Sequence, residues 1–103
     1  MPSSKAAPAR TYTIFVDGRT QRGTALDLLE RIRADAAERS EEIAKMDTRR
    51  YASALVKDAD FFLDKKLLEF LEKEPYATEY DRALRYLAEM DASGVRILSR
   101  TDA

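Results

Sequence analysis

Four carboxylates between residues 58 and 69 have the spacing of ligands in a calcium-binding loop. They are Asp58, Asp60, Asp64 and Glu69, which match positions 1, 3, 7 and 12 of an EF-hand. An EF-hand also needs an oxygen ligand at position 5 and a glycine at position 6. Those positions hold Phe62 and Leu63, and the segment lies within a helical pattern, which cannot wrap around an ion. The sequence therefore predicts no calcium site, no other metal site and no cofactor.

Catalysis by the common catalytic side chains is also disfavoured. The sequence contains no cysteine and no histidine, which excludes thiol nucleophiles and every dyad or triad that depends on histidine. Two acids one helical turn apart, such as Glu38 and Glu42, could share a proton or a divalent ion. With 19 acidic residues in 103, such pairs arise by chance, and Lys or Arg lies within a turn of each. We expect no catalytic residues and no enzymatic activity.

Residues near the two ends of the chain are better suited to binding another macromolecule. Residues 1–24 carry a net charge of +3, whereas residues 25–47 carry −3. If the last strand pairs beside the first, Arg96 and Arg100 share the outer face of a sheet with Leu98. The candidate interaction surface consists of Phe15, Arg19, Gln21, Arg96, Leu98, Arg100 and, on a separate element, Phe61.

Phe61 is a candidate because of its neighbour. Phe61 and Phe62 are consecutive, so they cannot both face the same core. Phe61 therefore either packs beneath a break in the helical segment or points towards a partner. The first of these is the preferred prediction.

Two functions are compatible with this surface. The leading hypothesis is a non-enzymatic interaction or adaptor module that acts through protein–protein contacts and self-associates into a homodimer. Exposed apolar residues and an open strand edge favour such pairing. The alternative is a small nucleic-acid-binding accessory or regulatory protein, because an aromatic ring among arginines on an open sheet can stack on and neutralise single-stranded nucleic acid.

The elements that position these residues begin and end with β-strands. Residues 11–16 alternate polar and apolar side chains and are rich in β-branched and aromatic residues, which predicts a strand. Asp17 and Gly18 are a strong hairpin signal, so residues 19–22 can return as a polar second strand. Residues 95–100 alternate again and predict a third strand.

The register of the hairpin has two solutions. A two-residue turn pairs Val16 with Arg19, whereas a three-residue turn with Gly18 in a bulge pairs Phe15 with Arg19. The three-residue turn keeps the charged residues off the core face, so it is the preferred prediction.

The middle of the chain has helical periodicity in three segments. Thr24 with Asp27 predicts the start of the first helix. Residues 25–46 predict one helix that extends past the sheet as a charged arm, because its middle has only alanines to bury. Residues 49–74 predict a helix with a break near 57–64, where an aspartate caps the second piece and Pro75 ends it. Thr78 with Asp81 predicts the start of the last helix, and Ser93-Gly94 its C-terminal cap.

Together these elements predict an α+β fold with two layers. The N-terminal β-hairpin and the C-terminal strand form a three-stranded sheet, and three or four helices cover the face that carries Tyr12, Ile14, Val95 and Ile97. The core should also contain Tyr51, Leu55, Leu68, Leu84 and Leu87.

The chain as a whole predicts one folded unit. Residues 1–10 are expected to be a disordered tail and residues 11–103 a single domain. The sequence contains neither a secretory signal nor an apolar run long enough to span a membrane, so a cytoplasmic location is expected.

Overall fold

The computed structural model describes residues 10–73, 78–90 and 94–102. The predicted α+β fold is confirmed, with a three-stranded antiparallel sheet and five helices. The elements are β1 (Arg10–Val16), β2 (Arg19–Thr24), α1 (Ala25–Ala37), α2 (Glu41–Ala44), α3 (Thr48–Phe62), α4 (Lys65–Lys73), α5 (Glu79–Glu89) and β3 (Arg96–Asp102).

The sheet has the strand order β2-β1-β3. The predicted pairing of the last strand beside the first is therefore confirmed, and both neighbours of β1 run antiparallel to it. β1 starts at Arg10, which the sequence had placed in the tail and which is buried. Residues 1–9 lie outside the described residues.

The preferred hairpin register is wrong. β1 and β2 are joined by a two-residue turn that pairs Val16 with Arg19 and Phe15 with Thr20. Asp17 and Gly18 both have positive φ, 52° and 76°, which is typical of the type I′ turn whose twist suits an antiparallel hairpin. Turn geometry therefore outweighs the cost of directing polar residues of β2 towards the helices.

The first helical segment is not one long arm. α1 ends at Ala37, and a second short helix begins after Ser40, whose Oγ accepts a hydrogen bond from the Ile43 amide at 3.3 Å. The Arg33 guanidinium donates to the Met46 carbonyl at 3.1 Å. The chain turns back because Ile43 and Met46 pack against the core, whereas a straight continuation of α1 would leave them exposed.

The predicted break in the second helical segment is confirmed. α3 ends at Phe62, Leu63 is extended, and α4 starts at Lys65. The Asp64 carboxylate caps α4 by accepting the Lys66 amide at 2.7 Å. The Phe62 side chain and Pro75 lie outside the described residues.

The predicted start of the last helix is also confirmed, because Thr78 and Asp81 form a reciprocal capping box on α5. The predicted glycine cap is wrong. α5 is capped at Met90, and Gly94, with φ of 73°, lies beyond that cap, just before β3. Ser93 lies outside the described residues.

The helices cover one face of the sheet and form the core with it. The largest fully buried side chains of the core are those of Tyr12, Ile14, Leu28, Leu29 and Leu84. The predicted core residues Tyr51, Leu84, Leu87 and Val95 are buried. Ile97 and Leu55 are partly buried against the core, and Leu68 is partly buried beside α3.

One buried polar contact joins the sheet to α5. The Tyr12 hydroxyl donates to Asp81 Oδ1 at 2.9 Å. The other carboxylate oxygen of Asp81 accepts from the Thr78 amide and hydroxyl, at 2.9 and 2.7 Å. Asp81 is itself buried, so a single carboxylate both caps α5 and satisfies a phenol in the core.

This contact predicts a loss of stability in alkali. Burial, together with the nearby Asp81 carboxylate, raises the pKa of Tyr12 to about 12 from 10.0. Because the folded-state pKa is the higher one, the stabilisation is complete below pH about 10 and is lost as the pH rises towards about 12. We expect the free energy of unfolding, measured in urea, to fall over this range, and to fall less in Tyr12→Phe. Equal falls in the two proteins would contradict the prediction.

Candidate interaction surface

The sheet has an outer face whose residues alternate with those of the core. In β1, Tyr12, Ile14 and Val16 are buried, whereas Phe15 is exposed. Residues that pair directly across neighbouring strands share a face, so the register of the sheet defines the outer face. The outer face consists of Thr11, Thr13, Phe15, Thr20, Arg22, Thr24, Arg96, Ser99 and Thr101. This set contains two arginines and no acidic residue.

Phe15 and Arg96 form the centre of the predicted surface. They pair directly across β1 and β3, and the guanidinium carbon of Arg96 lies 5.7 Å from the centroid of the Phe15 ring. A cation over an aromatic face at this distance contributes about 0.5–1 kcal/mol at an exposed site. Phe15 remains 37 % exposed and Leu98, on the neighbouring strand, 49 % exposed. The structure thus places an arginine over an aromatic ring at the end of the sheet near the hairpin turn, and an exposed aliphatic side chain two residues further along β3.

A β-bulge moves Arg100 away from this group. Thr13 pairs with Ser99 but Ile14 pairs with Ile97, which leaves Leu98 as an extra residue in β3. Arg96 is therefore on the side of Phe15, whereas Arg100 is opposite the buried Tyr12, on the side of the helices. The expectation that Arg96 and Arg100 share the outer face is wrong, because it assumed unbroken alternation.

Two further residues of the predicted surface do not lie on the outer face, because the hairpin has the two-residue turn. Arg19 pairs with Val16 and Gln21 pairs with Ile14, so both are on the side of the helices. Gln21 Oε1 accepts a hydrogen bond from the Arg31 guanidinium of α1 at 3.5 Å. Arg19 is exposed at the end of the strand, where the position next to the turn keeps its charge in water.

Phe61 is on a different element from the other candidates. It lies in the last turn of α3 and is 83 % exposed, so the preferred prediction that it packs beneath the break is wrong. α3 ends immediately after this turn, so Phe61 is presented where the chain changes direction. Phe61 is therefore on a helix, whereas Phe15 and Arg96 are on two strands of the sheet.

A groove of about 500 Å³ runs between β3 and the last two helices. It is lined by Tyr12, Phe70, Arg85, Ala88, Glu89, Arg96, Ile97 and Arg100. Three of these residues are arginines and one is an acid, and the Phe70 ring of α4 is 56 % exposed. Sequence reasoning missed Phe70 and Arg85. Neither residue belongs to the regularly spaced apolar residues that form the buried side of its helix. That spacing was the available signal that Phe70 and Arg85 face outwards.

The described residues contain no group of three or more acidic side chains positioned to hold a metal ion. Among the helices that the structure describes, none is long and apolar enough to cross a membrane. Comparison of the chain with families of proteins, with curated proteins and with solved structures gives no match. Function must therefore be inferred from the placement of the residues themselves.

Proposed function

We propose that this chain is a non-enzymatic protein-interaction module that pairs with a second copy of itself through the outer face of its sheet. The observation that carries the proposal is the exposure of Phe15 on a face of the sheet that the core leaves open, together with the exposure of Leu98 in the neighbouring strand β3. Exposed apolar side chains gain free energy when a partner removes them from water, by about 25 cal/mol for each Å².

The surroundings of these two residues suit a protein partner. Thr11, Thr13 and Thr20 present short side chains that allow another surface to approach closely. Arg96 is held over the Phe15 ring, so less side-chain freedom is lost when a partner accepts hydrogen bonds from it. A small apolar centre with a polar rim is the usual anatomy of a protein interface.

The test is the mass of the protein in solution, measured by light scattering after size-exclusion chromatography from about 1 μM to about 1 mM, which spans association free energies of about −8 to −4 kcal/mol. We expect a transition from 11.7 kDa to twice that mass. Phe15→Ser and Leu98→Ser should each weaken association about tenfold or more, since central apolar contacts dominate interfaces.

Leu26→Ser is the matched control, because Leu26 on α1 has the same 37 % exposure as Phe15. It should change the association constant by less than about twofold, as expected for a residue outside the interface. A monomer at the highest concentration, or equal effects of Leu26→Ser and Phe15→Ser, would refute the proposal.

Nucleic-acid binding is the second candidate, favoured by the lack of an acidic residue on the outer face and by its two arginines. The measurement is the anisotropy of a labelled oligothymidine at two salt concentrations, because phosphate contacts weaken steeply as salt rises. Binding that Arg22→Gln and Arg96→Gln weaken at low salt would support this candidate. No binding at low salt would exclude it.

A further inference from the structure

A cavity of about 340 Å³ lies where the hairpin turn meets the helices. The turn, α1, α3, α5 and the residue before β3 each contribute to its walls. The residues that line it are different from those of the groove beside β3 and from those of the outer face. Small-molecule sites have volumes of about 300–1,000 Å³, so this cavity has the size of a site for a small ligand.

The interior of the cavity is apolar. Val16, Leu87 and Val95 line it and are buried. Ile32 of α1 also lines it and packs against the core. An apolar group that enters the cavity leaves water and contacts these side chains, which is favourable. The interior therefore suits the apolar part of a ligand.

Three charged side chains also line the cavity, and all three are exposed. Asp17 is in the hairpin turn, and Asp35 of α1 and Arg39 are four residues apart, which is about one helical turn. Among the residues that the structure describes, none forms an ion pair or a side-chain hydrogen bond with Asp17, Asp35 or Arg39. Two acceptor groups and one cationic donor group are therefore available to a ligand.

Tyr51 of α3 adds a neutral donor. It lines the cavity and is 7 % exposed. Its hydroxyl makes no hydrogen bond with any residue of the described chain, whereas buried polar groups almost always have a partner. Burial raises the pKa of Tyr51 above its ordinary value of 10.0, so the hydroxyl stays protonated at neutral pH and can donate to an anionic group.

We propose that this cavity binds a free α-amino acid that has an apolar side chain. The carboxylates of Asp17 and Asp35 accept hydrogen bonds from the ammonium group of the ligand. The Arg39 guanidinium and the Tyr51 hydroxyl donate to its carboxylate. The side chain of the ligand enters the apolar interior. An amine without a carboxylate would use only the two acids, and a carboxylic acid without an ammonium group would meet two like charges.

The test is a titration of the ¹⁵N-labelled full chain with L-phenylalanine up to about 10 mM, which detects dissociation constants into the millimolar range. The NMR signals of the backbone amides are followed. Those of Asp17, Ala36 and Tyr51 should shift, whereas those of Thr13 and Thr20, on the outer face, should not.

Three analogues of phenylalanine test the recognition of each part of the ligand and leave the protein unchanged. Phenethylamine lacks the carboxylate, and 3-phenylpropionate lacks the ammonium group. Each should bind about fivefold more weakly than phenylalanine, the loss expected for a charged contact at an exposed site. L-Alanine keeps both charges but lacks the ring, and should bind at least about tenfold more weakly.

A matched pair of substitutions in α1 then locates the site. Ala36 lines the cavity, whereas Ala34, on the same helix, is exposed and does not line it. Leucine is compatible with a helix at both positions. Ala36→Leu should weaken phenylalanine binding about tenfold or more, because its side chain occupies part of the cavity, and Ala34→Leu should change it by less than about twofold.

Two further variants separate the roles of the surfaces. Arg39→Gln should reduce the advantage of phenylalanine over phenethylamine from about fivefold to less than about twofold, because the guanidinium that recognises the carboxylate is gone. Phe15→Ser should leave phenylalanine binding unchanged while it weakens self-association. Failure of either proposal is thereby distinguished from failure of the other.

Four results would overturn the inference. An absence of shifts at the highest concentration would show that the cavity does not bind phenylalanine. Equal binding of alanine would show that the apolar interior takes no part. Binding of phenethylamine as tight as that of phenylalanine would identify a simple amine as the ligand. Equal effects of Ala36→Leu and Ala34→Leu would place the ligand outside the cavity.

Discussion

Leu84→Ala is expected to lower the free energy of unfolding by about 2–5 kcal/mol, the range for leucine removed from a packed core. Leu84 is fully buried, in one cluster with Tyr12 and Ile14 of β1 and Leu28 and Leu29 of α1. The substitution therefore leaves a cavity where α5, α1 and the sheet meet. A domain of this size has about 5–15 kcal/mol of stability in total, so the loss is a large fraction of it.

Thermal unfolding followed by circular dichroism measures the effect, because each kcal/mol lowers the Tm of a domain of this size by about 4–8 °C. Leu26→Ala makes the same chemical change at a position on α1 that is partly exposed. It should cost less than about 1 kcal/mol, as surface substitutions do. Similar losses for Leu26→Ala and Leu84→Ala would mean that α5 does not pack as described.

Asp81→Ala should destabilise the fold by about 2–4 kcal/mol. It removes a helix cap, which is worth about 1 kcal/mol, and leaves the buried Tyr12 hydroxyl without its 2.9 Å acceptor, which costs about 1–3 kcal/mol. Asp27→Ala is the matched control. Asp27 holds the same position in the capping box of α1, but it is exposed and accepts no buried phenol. Its removal should cost about 1 kcal/mol or less.

The contribution of the Tyr12–Asp81 hydrogen bond is measured by a double-mutant cycle in urea. Tyr12→Phe removes the donor, so Asp81→Ala then leaves no phenol unsatisfied and costs less than it does in the natural chain. We expect a coupling of about 1–3 kcal/mol, typical of residues in direct contact. Additive losses would mean that Asp81 acts as a helix cap alone.

Apart from the pairing of β3 beside β1, the features of the backbone that sequence reasoning predicted correctly have local causes. Thr24 and Asp27, and Thr78 and Asp81, are three residues apart, and each pair is a complete capping signal. The break before Asp64 follows from a change of phase in the apolar stripe over a few residues. The break at Ser40 had a local signal as well, because Ser40 precedes two glutamates and caps α2, but the alanines before it continue the helical pattern.

The features that were missed depend on contacts between distant segments. The bulge at Leu98 is set by the way β3 pairs with β1, more than 80 residues earlier in the chain, and alternation within β3 does not reveal it. Phe15 and Arg96 do lie together, because Arg96 precedes the bulge, whereas Arg100 follows it and lies on the other side of the sheet. Phe70 and Arg85 reach the groove through the packing of α4 and α5 beside β3, which no short pattern encodes.

The hairpin shows a third kind of limit, in which two local rules conflict. Polarity favoured the register that keeps Arg19 and Gln21 away from the core, and turn chemistry favoured two residues with positive φ. The structure has the register that the two-residue turn favours. Gln21 hydrogen bonds to Arg31, and Arg19 stays in water next to the turn, so the polar residues cost less than the sequence pattern implied.

The extra residue in β3 gives that strand a tolerance to changes in length that β1 lacks. If Leu98 were deleted, Ile97 and Ser99 would still face Ile14 and Thr13, and every other residue of β3 would stay on its present side of the sheet. A deletion within β1 would instead move the side chains on one side of the deletion to the opposite face of the sheet. A variant that lacks Leu98 should therefore still hold Arg96 and Arg100 on opposite sides of the sheet.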